Sequence, residues 1–171
     1  MKEDGWHAVP VSFPHAIADD LRALKAIGMR GEYVEVTRND PQVSLPETAT
    51  PWGTRGELYA PGFSHLNVYL TARLYWDVGQ DVDALLADYC AAFYGPAATE
   101  MKAFIGFCEQ NWPKLAPSSP DEETLRRMRR LLAEARVKAG DNTRYARRIE
   151  LVSEYTRPLH PHRPPRERGR N

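Results

Sequence analysis

Glu32 and Glu35 stand in the run RGEYVEV, residues 30–36, whose β-branched and aromatic content predicts a short strand. Carboxylates are the side chains of general acid–base work. Along a strand, however, side chains alternate between faces, so Glu32 and Glu35 point to opposite sides and at most one of them addresses a given substrate. Each reads first as a strand-end or loop partner and only second as a catalyst. Trp52, Tyr59 and His65 lie in or beside a stretch, 37–62, that holds Pro41, Pro46, Pro51, Pro61, Gly53, Gly56 and Gly62. A loop that long in a compact domain is commonly a binding element. An exposed aromatic there offers a flat apolar face to a sugar ring, and a buried one packs on the helices.

Other reactive types are sparser. Cys90 and Cys108 are too few for a disulfide scaffold, lack metal-site spacing and fall on apolar helical faces, which predicts buried free thiols. His160 and His162 sit two apart in a tail rich in proline and arginine, a weak metal site. The sequence therefore points to no metal and no cofactor. Asn67 and Arg73 occur within an apolar run, where a polar group must find a partner. Arg73 fits either an acidic ligand, by a two-pronged contact, or an internal Asp such as Asp77 or Asp81, and the internal pair is preferred.

The elements that must position these residues centre on 63–98. From about Ser64 to Trp76 the chain is apolar on nearly all sides, which predicts a helix buried all round. Asp77, Gly79 and Asp81 make a corner, with Asp81 placed to cap the next helix. There Val82, Leu85, Leu86, Tyr89, Cys90 and Phe93 recur along one face. Gly95 stops that helix, and Pro96 suits the first turn of the next.

Upstream, Ile17, Leu21, Leu24 and Ile27 mark one face of a helix from His15 to Ile27, which Gly28 stops. Helix, glycine and strand together form half of an α/β repeat. Downstream, Met101, Phe104, Ile105, Cys108 and Trp112 predict a helix over 97–112 that Pro113 ends, followed by a linker, KLAPSSP. Ser119, Pro120 and the acids 121–123 signal a helix start. That helix turns Leu125, Met128, Leu131, Leu132 and Ala135 inward and runs to Gly140. Asp141 then caps a last helix carrying Tyr145, Ile149, Val152 and Tyr155, and the two form an antiparallel hairpin. The expectation is a mainly α fold with a minor β component, a bundle of about six helices following one helix-strand unit. Residues 1–62 hold that unit and the long loop, 63–157 the helical domain, and 158–171 a basic, proline-rich tail with almost nothing to bury.

The formal charge is zero, yet residues 1–125 sum to −9 and residues 126–171 to +9. Opposed halves that attract one another explain this better than a nucleic-acid surface, because the basic part lacks interleaved aromatics. No segment approaches the ~20 apolar residues of a membrane span. The opening MKEDGWHAVP has no apolar run of the signal-peptide kind, so the sequence assigns no compartment.

The runs LNVYLTARLYWD, DVDALLADYCAAFYGPAA and MKAFIGF resemble a bacterial domain-of-unknown-function family attached to glycoside-hydrolase-like proteins. That family is similar in appearance to α-glucuronidases and other (β/α)8-barrel carbohydrate enzymes. The resemblance rests on Asn67, Tyr69, Trp76 and Asp77 in the first helix and on Tyr94, Gly95, Pro96 and Ala97 at the corner, and it covers roughly residues 13–112. It implies that HAIADDLRALKAIGMRGEYVEV is the last α/β unit of a barrel whose first strands are missing from this sequence. Barrel enzymes keep their chemistry at the C-terminal ends of strands, which ranks Glu35 above Glu32. Glycoside hydrolysis needs two carboxylates roughly 5–10 Å apart across the scissile bond, which one strand cannot supply. The expected function is the C-terminal region of a carbohydrate-active protein, not catalytic by itself. Its expected partners are a carbohydrate, a protein partner or the missing barrel segments. A non-catalytic helical protein-interaction module is the alternative.

Overall fold

The computed structural model describes residues 12–31, 61–115, 121–141 and 143–156. Its helices are α1 (Pro14–Ala26), α2 (Pro61–Trp76), α3 (Val82–Tyr94), α4 (Ala98–Gln110), α5 (Trp112–Leu115), α6 (Glu122–Ala139) and α7 (Arg144–Tyr155), with a 3-10 turn at Gly95–Ala97. Among the described residues there is no strand, and the architecture is a helical bundle: six longer helices and the one-turn α5. Arg30 and Gly31 are irregular, and the rest of the predicted strand, from Glu32 on, lies outside the described residues.

The centre of the bundle is α3, which packs against α1, α2, α4 and α7. Its Val82, Leu85, Leu86, Tyr89 and Cys90 are buried at the predicted spacing, Phe93 is half-buried, and Tyr94 adds a fully buried ring at the end. Asp81 caps it as expected, accepting hydrogen bonds from the N–H groups of Asp83 at 2.8 Å and Ala84 at 3.3 Å. The second pillar is α6 on α4, which joins Leu125, Met128 and Leu132 to Met101, Phe104 and Ile105 in one core. Ala146, Ile149 and Val152 of α7 complete it.

Several expectations need correction. α2 is not buried all round: Leu66, Leu70 and Leu74 form one buried row four residues apart, whereas Val68 is 50% exposed. One helix offers more apolar faces than α1, α3 and α7 cover, so the surplus meets solvent. The cap of α6 is Asp121, whose carboxylate accepts from both the N–H (2.8 Å) and the hydroxyl (2.6 Å) of Thr124, and Ser119 lies outside the described residues. Thr143 rather than Asp141 caps α7, its hydroxyl accepting from Ala146 N–H at 3.0 Å. Asp141 is instead drawn to Arg136, 3.5 Å away. α4 ends at Gln110, and Pro113 does not end a helix but sits early in α5, where no backbone donor is needed. α5 seats Leu115 fully inside, so the start of the supposed linker belongs to the core. On α7 the inward stripe uses Ala146, with Tyr145 half-buried beside it; the Tyr155 side chain lies outside the described residues.

Tyr145 has a specific seat. Gly95 has φ +54°, and a Cβ built there would lie 2.6 Å from the Tyr145 ring. The ring of α7 therefore closes on bare backbone at the α3–α4 corner. Gly95→Ala should destabilise the protein by at least ~2 kcal/mol, from backbone strain plus overpacking. Urea denaturation in a double-mutant cycle with Tyr145→Ala should show the two changes coupled by ~1 kcal/mol or more. Strict additivity would mean that the ring does not rest on Gly95.

Candidate functional site

Two helix ends converge to frame a groove. Gly28 takes φ +90° and turns the chain out of α1, while α2 stops at Trp76. Between these ends lies a groove of about 450 Å³, walled by Leu24 and Lys25 of α1, by Met29 and Arg30 just beyond it, and by Tyr75 and Trp76 of α2. The Trp76 indole is 93% exposed, and Met29 is 38% exposed. No carboxylate lines the groove among the described residues.

Polar contacts hold its walls in place. Gly79 N–H donates to the Asp77 carboxylate at 2.8 Å, shaping the turn after α2. Arg22 of α1 donates to the carbonyls of Val78 at 3.0 Å and Gln80 at 3.1 Å, strapping α1 to that turn. Arg73 donates to the Gln80 side-chain oxygen at 3.1 and 2.9 Å. Its internal partner is thus an amide rather than the expected Asp77 or Asp81. Asn67 accepts from the Ser12 hydroxyl at 3.1 Å, which supplies the partner its position requires.

At the other end of α1, His15 sits in a charged cluster. Its Nδ1 lies 2.7 Å from Glu109, its Nε2 lies 3.8 Å from Asp83, and Asp83 pairs with Lys102 at 2.9 Å. The hydrogen bond to Glu109 raises the His15 pKa above its ordinary 6.5, against a smaller opposing effect of desolvation. The hydrogen bond from Lys102 lowers that of Asp83. Both ring nitrogens of His15 face carboxylates, so the imidazole serves as a clamp between α1, α3 and α4.

His65, proposed from sequence as a ligand-stacking residue, lies in α2 and is itself stacked. Its ring centroid is 4.9 Å from that of Phe93, and its Nδ1 is 3.2 Å from the Tyr89 hydroxyl. Arg148 covers Phe93 as well, with its guanidinium 4.2 Å from the ring centroid, and donates to the Phe93 carbonyl at 2.7 Å. Burial raises the pKa of Tyr89 and of Tyr94, and pushes the Cys90 thiol up to about 12 and the Cys108 thiol higher still. These phenols and thiols remain protonated at neutral pH, and both thiols are free and buried as expected.

Of the five residues singled out in sequence, Glu32, Glu35, Trp52 and Tyr59 lie outside the described residues, and only His65 is placed. Sequence reasoning missed the groove because it assigned Trp76 to the interior and Lys25 and Arg30 to no site. One signal was available: α2 carries too many apolar faces for its neighbours to cover. Among the described residues there is no cluster of three or more metal-ligating side chains, and no helix is long and apolar enough to cross a membrane.

The family described as "Domain of unknown function (DUF4838)" matches residues 6–106, a span that contains α1, α2, α3 and most of α4. No curated protein matches the chain, and no solved structure does.

The His15 cluster has a pH signature. Because the folded-state pKa lies above the ordinary 6.5, protonated His15 stabilises the fold. That contribution is fully present below the unfolded value and is lost as pH rises through the folded one. His15 is about half exposed, so the effect stays below ~1 kcal/mol. Denaturation at about pH 5.5 and about pH 8.5 should show this loss in the natural chain and a flatter dependence in His15→Gln. Identical pH dependence in the two proteins would contradict the clamp.

Proposed function

The chain belongs to the DUF4838 family, and from that premise we propose that it is the C-terminal helical region of a glycoside-hydrolase-like carbohydrate-active protein, not catalytic by itself. What supports the first half is the resemblance carried by Asn67, Tyr69, Trp76 and Asp77 and by the corner Tyr94–Ala97. A single observation carries the second half: the groove between the ends of α1 and α2 presents apolar and cationic side chains and no carboxylate among its described residues. Glycosidic cleavage by the two-carboxylate route needs an acid and a base or nucleophile on opposite sides of the bond.

In this reading Glu35, then Glu32, with Trp52, Tyr59 and His65, are substrate-contacting candidates that complete a sugar site only with upstream barrel units. The test compares this chain with a product extended upstream through those units, using a panel of aryl glycosides and binding to soluble polysaccharides. The chain alone should give no turnover above buffer, and the longer product should hydrolyse or bind at least one saccharide. Turnover by the chain alone would refute the non-catalytic reading. A longer product with neither activity would remove the carbohydrate reading.

The second reading is a non-catalytic helical protein-interaction module. Its support is the exposure of Trp76 and Met29, which both line the groove, since exposed apolar surface gathered in one place commonly marks an interface.

A further inference from the structure

The groove between the ends of α1 and α2 has a composition that selects among ligands. Its apolar wall is Leu24, Met29, Tyr75 and Trp76, and its polar groups are chiefly the cations Lys25 and Arg30. Aromatic residues, Met and Arg are the types enriched at the cores of protein interfaces. Lys25 and Arg30 are exposed on the groove wall, where an incoming acid can reach both charges. A saccharide presents many hydroxyl donors and needs side-chain acceptors to meet them. Among the described lining side chains only the Tyr75 phenol carries an oxygen, and the other polar ones, Lys25 and Arg30, are donors. A second copy of this chain docked here about a two-fold axis would bring like charges together, which disfavours self-association.

We propose that this groove docks a segment of another protein in which an aliphatic or aromatic side chain is flanked by Asp or Glu. The apolar side chain lies on Trp76 and Met29, while the carboxylates meet Lys25 and Arg30, the latter with a two-pronged contact. Trp76 is the anchor, being nearly wholly exposed before docking and able to bury the largest area of any side chain on this surface. The inference rests on the interaction-module reading and names its partner chemistry. A groove this small corresponds to the weak end of protein recognition, with Kd on the order of 10–100 µM.

Random dodecamer peptides displayed on phage and selected on the immobilised full chain provide the test. Enriched sequences should carry Asp or Glu beside a large apolar residue. Synthetic versions should bind by fluorescence polarisation, weaken as salt rises, and lose about tenfold or more on Trp76→Ala and, separately, on Lys25→Glu combined with Arg30→Glu. All three positions are exposed, and unchanged circular dichroism and melting of the variants show that the fold is intact. Binders indifferent to both variants would overturn the groove as the site while leaving the module reading standing. Failure to enrich any sequence would remove both. If polygalacturonate, offered in parallel, binds in a manner sensitive to Trp76→Ala and no acidic peptide does, the occupant is an acidic saccharide and the proposal is wrong.

Discussion

The position of α1 depends on one carboxylate. Phe13 precedes the helix and offers no side-chain cap, so the first N–H groups of α1 need an acceptor from elsewhere. Glu109, from the last turn of α4, supplies it: one oxygen accepts from His15 N–H at 2.8 Å and from Ala16 N–H at 3.4 Å, and the other lies 2.7 Å from the His15 ring. A negative charge at the positive end of the helix dipole adds to these bonds. Within α1 only Pro14 and Ala18 are buried, so burial alone anchors it weakly. Half-buried Ile17 and Leu21 pack on the core, and polar contacts, Glu109 at the start and Arg22 on the Val78 and Gln80 carbonyls further on, fix the helix in place.

That arrangement has consequences for the surface. α1 and the residues just after it form one wall of the groove and α2 forms the other, so the shape of the groove follows from how α1 is held. The core beneath is of a different kind. α3, α4, α6 and α7 share a continuous apolar interior in which Tyr94, Phe104, Met101 and Met128 are almost wholly buried. Buried phenols and thiols in that interior favour their neutral forms, which keeps it chemically inert. The molecule thus combines an apolar bundle with a peripheral helix tied down by polar contacts, and the groove lies at the boundary between the two.

The sequence was most legible where one periodicity dominates. The stripes of α3, α4 and α6, the Asp81 cap and the glycine stops at 28, 95 and 140 follow from spacing and from the freedom of glycine to take positive φ. It was least legible where two local signals compete or where a partner is distant. Ser119 and Asp121 both offer a capping oxygen, and only the geometry at Thr124 distinguishes them. Asp141 and Thr143 pose the same choice, and only the bond from Ala146 N–H to the Thr143 hydroxyl distinguishes them. No sequence pattern pairs His15 with Glu109 across 94 residues. Composition could show that α2 is apolar on every side, but which sides its neighbours cover is a tertiary property, and on that Trp76 depends.

Hydrogen exchange of the α1 amides in Glu109→Ala against the natural chain tests this account most directly. Losing the cap should lower protection in residues 15–26 by about tenfold, the effect of a lost helix cap, while protection in α3, α4 and α6 stays unchanged. Unchanged protection in α1, or an equal loss throughout the bundle, would contradict the claim that this carboxylate is what seats the helix beside the groove.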